Sequence, residues 1–96
     1  MLLQLRPAAA LDIEKAATWY EGQYAGLGSQ FIAELERIEA RIEESPYQFP
    51  VAYRNTRRAL LSRFPYALYF QVRGDVALVV AVIDQRRNPT RWRRRT

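Results

Sequence analysis

YALYFQVRGDVALVVAVI, residues 66–83, is the stretch that decides the fold. Tyr66 to Val72 is aromatic and aliphatic, Arg73-Gly74-Asp75 is a tight turn, and Val76 to Ile83 is an almost unbroken apolar run. Two such runs joined by so short a connection pair as an antiparallel hairpin. The second run offers no polar face, so it reads as a central strand covered on both sides.

Working outward, Arg57 to Ser62 reads as a further strand on the N-terminal side of the hairpin, and Leu2 to Leu5 as a short one at the start of the chain. Between them the period changes. Ala9, Ile13, Ala16, Tyr20 and Tyr24 recur every three or four residues over Ala8 to Tyr24, one face of an amphipathic helix. Pro7 suits its first turn. Gly26-Leu27-Gly28 interrupts the pattern. A second helix is expected from Ser29 to Glu44, with the apolar stripe Phe31, Leu35, Ile38 and Ile42, and Ser45-Pro46 ends it. Two helices joined by a short glycine turn form an antiparallel hairpin. After the last strand, Asn88-Pro89 starts a final helical turn carrying Trp92. The order β-α-α-β-β-β gives an α+β class: a helical hairpin packed on a mostly antiparallel four-stranded sheet. The whole chain, 1–96, is one domain with a basic tail at 88–96.

Composition narrows the chemistry. With neither cysteine nor histidine, disulfides, thiolate metal sites and the usual neutral-pH general base are out of reach. The acidic residues sit mostly along the second helix and form no loop cluster for a hard cation, so no metal and no cofactor are expected. The longest apolar run is 8 residues, far short of the roughly 20 that span a bilayer. No membrane association is expected, and the cytoplasm is the expected compartment.

Charge is segregated along the chain. Residues 1–50 carry 4 basic and 8 acidic side chains, net −4; residues 51–96 carry 11 basic and 2 acidic, net +9. Fourteen of the 15 basic residues are arginine, the side chain suited to bidentate contacts with carboxylate or phosphate. The C-terminal half is therefore built to meet something acidic. Arg57, Arg58, Arg63, Arg86 and Arg87 lie on the sheet half, and Arg63 and Arg86 are expected at one end of the sheet. The alternative reading is a solvated edge that resists aggregation. Arg91, Arg93, Arg94 and Arg95 surround Trp92; they suit a nucleic acid or an acidic partner, or they fray, and Trp92 packs on the sheet more readily than on a base. Trp19, Tyr20, Tyr24, Phe64, Tyr66, Tyr69 and Phe70 read as core and core rim, with phenolic acid catalysis the less favoured alternative. Glu34, Glu39 and Glu43 on the second helix read as a solvated, salt-bridged surface.

Arg63-Phe64-Pro65-Tyr66, Val80-Ala81-Val82 and Arg86-Arg87-Asn88-Pro89-x-x-Trp92 together resemble the ParE branch of the RelE/ParE toxin superfamily. Trp19-Tyr20-Glu21, Gly26-Leu27-Gly28-x-x-Phe31 and Glu34-Leu35 resemble that family's helical hairpin. The resemblance covers nearly the whole chain. It implies the toxin of a plasmid-stabilisation type II toxin–antitoxin pair, which inhibits DNA gyrase and forms a hetero-oligomer with a cognate antitoxin. On this reading Arg63, Arg86, Arg87, Trp92 and Arg93 meet the target, and Trp19, Tyr20, Tyr24, Phe31 and Leu35 meet the antitoxin. RelE-like relatives instead cut mRNA on the ribosome; Arg63 and Arg86 would then be the catalytic pair. That branch carries an arginine after the tyrosine at 66 and a basic or phenolic residue near the C-terminus, where this chain has Ala67 and Trp92. Many ParE-like chains have histidine at position 84, where this one has Asp84, a candidate ion-pair partner for Arg86 or Arg87. A non-toxic nucleic-acid-binding regulator is the third reading.

Overall fold

The expected hairpin is the spine of the sheet in the computed structural model, which describes every residue from Met1 to Thr96. Strand β4 (Tyr66–Arg73) pairs antiparallel with β5 (Val76–Asp84), from Tyr66↔Asp84 to Arg73↔Val76. Gly74 closes the turn at φ 62°, where a side chain would be strained. The ladder slips once. Tyr69 faces Ala81 and Phe70 faces Val79, which leaves Val80 as the extra residue of a β-bulge. The slip puts Val79 and Val82, three apart, on the same face, and sends Val80, Ala81 and Ile83 to the other.

The remaining strands are β1 (Leu2–Leu5), β2 (Val51–Tyr53) and β3 (Thr56–Leu60), in the sheet order β1-β5-β4-β3-β2. The sheet thus has five strands where four were expected. The additional one, β2, is three residues long, too short to show an alternating pattern. The sheet is mixed, because β1 runs parallel to β5, from Leu2↔Val76 to Leu5↔Val79.

Helices α1 (Pro7–Gln23) and α2 (Leu27–Glu44) form the hairpin. Gly26, at φ 88°, reverses the chain between them. The Glu21 carboxylate of α1 then accepts from the Gly26 and Gly28 amides, at 2.8 and 3.0 Å. An anion thereby satisfies donors that the start of α2 would otherwise leave open. Phe31, Leu35, Ile38 and Ile42 are all buried, as their spacing requires. They meet Leu68, Phe70, Val79 and Val82 of the sheet in the larger core. Each large side chain buried there contributes roughly 1.5–3 kcal/mol.

The other face of the sheet has a smaller core of Ala67, Tyr69, Val80, Ala81 and Ile83. Its lid is Trp92 of the one-turn helix α3 (Thr90–Arg93), stacked on Tyr69 at 4.0 Å. Asn88 Oδ1 accepts from the Thr90 amide at 3.0 Å to start that turn. No helix is long and apolar enough to cross a membrane.

One expectation for α2 is overturned. Glu34 is buried, and the two ion pairs of the molecule both lie elsewhere. Its carboxylate accepts from the Ser62 amide (2.5 Å), the Ser62 hydroxyl (2.8 Å) and the Arg63 amide (3.1 Å). Glu34 is therefore the anchor of the β3–β4 connection. Arg41, another residue of that helix, is drawn instead to Gln48 and to the Phe49 ring.

Candidate target-binding groove

β1 follows β5 only as far as Val79, and Arg6 adds one more amide contact to the Val79 carbonyl. The chain then turns into α1, so Val80 to Asp84 has no strand neighbour on that side. A groove of about 610 Å³ opens between α1 and this bare edge. Asp12, Lys15, Ala16, Trp19 and Tyr20 form one wall; Tyr66, Val82, Ile83 and Asp84 form the other; Arg86, Arg87 and Arg91 close the end.

Its floor is held by aromatic packing. Tyr20 lies 5.5 Å from Phe31 and 4.8 Å from Phe64, and Phe31 lies 5.2 Å from Tyr66, ring centre to ring centre. Such pairs add about 0.5–1.5 kcal/mol each beyond burial. They tie α1, α2 and the β3–β4 connection to Tyr66, whose strand partner is Asp84.

Asp12 spans the groove at its other end. Its carboxylate accepts from the Val82 amide at 3.0 Å, an edge donor that no strand reaches. It also pairs with Arg95, whose guanidinium donates to the Val80 carbonyl as well. Arg6 in turn donates to the Arg95 carbonyl at 2.8 Å. The C-terminal tail is thus strapped down rather than frayed.

The charges around the groove are unequal. Arg86 is bound by Asp84 through Nε (3.0 Å) and Nη2 (2.6 Å), and the Arg86 amide donates to the same carboxylate. These Arg86 contacts hold the Asp84 carboxyl below the usual carboxylate range, against the upward push of its burial. Lys15, Arg87 and Arg91 have no carboxylate partner. Burial, then Tyr66 and Asp84, pushes the Tyr20 phenol up; burial, then Asp84, does the same for Tyr66. Both phenols stay protonated at neutral pH and offer hydrogen bonds. The groove therefore presents three free cations, two phenolic donors and a strand edge with no strand neighbour, whose Val82 amide and Val80 carbonyl are taken by Asp12 and Arg95. Such a set has the chemistry to meet an extended chain bearing acidic groups.

The residues singled out in the sequence are scattered by the fold. Arg86 and Arg87 line the groove. Arg63 lies at the same end of the sheet but turns to Gln30 of α2, at 2.7 Å, and does not line it. Trp92 is buried, and Arg93 lies over the Tyr53 and Trp92 rings on the opposite face of the sheet. On the hairpin, Trp19 is 59% exposed and Tyr24 74%, whereas Tyr20, Phe31 and Leu35 belong to the core.

The comparisons with known proteins fit this architecture. A family model described as the ParE toxin of type II toxin–antitoxin systems, parDE, matches residues 3–89. The chain belongs to the ParE toxin family. It is similar in fold to a solved chain of the chromosomal ParDE toxin–antitoxin system from P. aeruginosa, with a TM-score of 0.75 and 18% identity, over 88% of this chain and 95% of that one. No curated protein matches it. The ParE match ends at Pro89, so Arg91, Trp92 and the tail arginines lie beyond it.

Within this ParE fold the sequence reading missed Asp12 and Lys15 as groove residues, and had Arg91 only as part of the basic tail. Asp12 had a legible signal: it sits three residues after Ala9 and four before Ala16, a carboxylate on the apolar face of α1. Lys15 had none, because a single exposed cation carries no pattern that marks a groove, and the arginine cluster that signalled Arg91 does not say which of its members turns to the groove.

Proposed function

We propose that this ParE-family toxin arrests growth by binding and inhibiting DNA gyrase, and that a cognate antitoxin neutralises it by covering the helical hairpin and the open edge of β5. The observation that carries the reading is the groove itself, with Lys15, Arg87 and Arg91 unpaired beside the edge from Val80 to Asp84, which has no strand neighbour. An antitoxin segment that is disordered when free gains acidic contacts from those cations, displaces Asp12 and Arg95 from the Val82 amide and Val80 carbonyl to pair with the edge, and orders on binding. Trp19 and Tyr24 extend the docking surface along α1.

The inhibitor reading is favoured over mRNA cleavage by two side chains. Cleavage needs Arg63 and Arg86 to meet one phosphate. Arg63 is turned to Gln30, and Arg86 is neutralised by Asp84.

The test is induction of the chain alone in growing bacteria, with supercoiling by purified gyrase measured in parallel. Filamentous cells with intact mRNA and inhibited supercoiling are expected. Reversing the charge of Arg87 and Arg91 to glutamate should abolish both effects while the protein stays folded. Early mRNA fragments with unaffected supercoiling would overturn the reading in favour of the ribosomal endonuclease.

A further inference from the structure

The sheet face away from the helical hairpin carries a second set of arginines that the groove does not use. Arg54 lies over the Tyr53 ring at 5.1 Å, and Arg93 lies over the same ring at 4.6 Å and over Trp92 at 5.6 Å. Arg58 is the cross-strand partner of Tyr69 and sits beside its hydroxyl. Arg73 donates twice to the Gln71 side-chain oxygen Oε1, at 2.7 and 3.0 Å, and Gln71 is neutral. None of the four has a carboxylate partner, since Asp84 and Asp12 hold Arg86 and Arg95.

Arg54 carries a second signal. It occupies the left-handed region at φ 53°, in the two-residue turn between β2 and β3. An L side chain there costs about 1–2 kcal/mol relative to glycine. An arginine at such a position, with its guanidinium resting on Tyr53, is a strained residue with exposed charge, the combination found at binding sites.

From these observations we infer that this face is a docking surface for the phosphate backbone of duplex DNA. The guanidinium groups of Arg54 and Arg93 are braced on rings and that of Arg73 on Gln71, which limits the freedom lost when each meets a phosphate. A single strand would need open ring faces for its bases. The Tyr53 ring already carries two guanidinium groups, and Trp92 and Tyr69 are stacked on each other and buried. Charge is offered without a stacking platform, and that suits a duplex, whose bases are turned inward.

Any chain of net charge +5 attracts DNA, so the claim concerns the face. Binding of a short fluorescein-labelled duplex would be followed by anisotropy over a salt series. Four phosphate contacts give a log–log salt slope of about −3.6, or roughly 150-fold weaker binding between about 50 and 200 mM salt. Replacing Arg54, Arg58 and Arg93 together by glutamine should make the slope shallower by about 2.7; glutamine at Arg87 and Arg91 should leave it nearly unchanged. A phenylglyoxal footprint of the unmutated protein gives an answer even if the triple variant fails to fold: duplex should protect Arg54, Arg58 and Arg93 and leave Arg87 and Arg91 reactive. The inference is overturned by protection of the groove arginines instead. Absence of duplex binding at low salt, tighter binding of a single strand, or stronger protection of the same face by polyglutamate would each overturn it too.

Discussion

Glu34 sits three residues after Phe31 and four before Ile38, on the buried stripe of α2, yet it is charged. Burial alone pushes its carboxyl up. Hydrogen bonds from Ser62 and Arg63, with Arg37 nearby, outweigh that push and hold it below the ordinary glutamate value of 4.5. A carboxyl depressed in the folded state stabilises the fold fully above its unfolded value, and the contribution is lost as pH falls through the folded one. Glu34→Ala should therefore cost about 2–3 kcal/mol near neutral pH, because it leaves buried amides without an acceptor. Urea midpoints measured from pH 7 downward should show the gap between the unmutated chain and the variant closing below the ordinary carboxylate range. A gap that stays constant on acidification would contradict the role assigned to the charge.

At the scale of elements, the close approach of α1 and α2 is set by one glycine. A Cβ on Gly28 would stand 2.6 Å from the Ala17 carbonyl oxygen and 3.0 Å from Glu21 Oε1. The first is backbone and cannot swing away. Gly28→Ala should thus destabilise the protein by about 1–3 kcal/mol, against a helix-propensity gain of about 1 kcal/mol that would otherwise favour alanine. Gly22, in the last turn of α1, is the control, since a Cβ there meets nothing within 4 Å. Gly22→Ala should stabilise by about 0.5–1 kcal/mol. Opposite signs for the two substitutions in thermal melts are the expected outcome; equal signs would refute the packing argument.

The molecule as a whole is closed by a strap. Arg95 and Asp12 are 83 residues apart, and their ion pair joins the tail to α1, while each also bonds the backbone of β5. The side chains are 25% and 10% exposed, so solvent screens the pair only in part. Arg95→Ala should cost about 1–2 kcal/mol; Asp12→Ala should cost about 2–3, because it strands the Val82 amide as well. The double variant should fall short of the sum by about 1 kcal/mol or more in a urea-denaturation cycle. Strict additivity would show that the strap carries no coupling. The strap also keeps one end of the groove in shape, because Asp12 lines it.

Local pattern was enough for the helical hairpin, the β4–β5 pair and the buried stripe of α2, because periodicity and turn residues act over a few neighbours. The motif at Arg86-Arg87-x-Pro-x-x-Trp92 and the hairpin residues were enough for the family, and Asp84 was legible as a partner for Arg86. β2 was not legible, since three residues carry no period. The bulge at Val80, the parallel pairing of β1, and the bare edge it leaves past Val79 were decided only when the sheet assembled. So were the side-chain fates of Arg63, Trp92 and Glu34. Each has the same charge or ring in the sequence as its neighbours, and only contacts 28 to 33 residues away for Glu34 and Arg63, and the Tyr69 ring for Trp92, separate the anchors from the exposed residues. Composition determined that the C-terminal half is strongly basic; the three-dimensional packing determined which of its arginines are free, because a charge is available only when no carboxylate has reached it first.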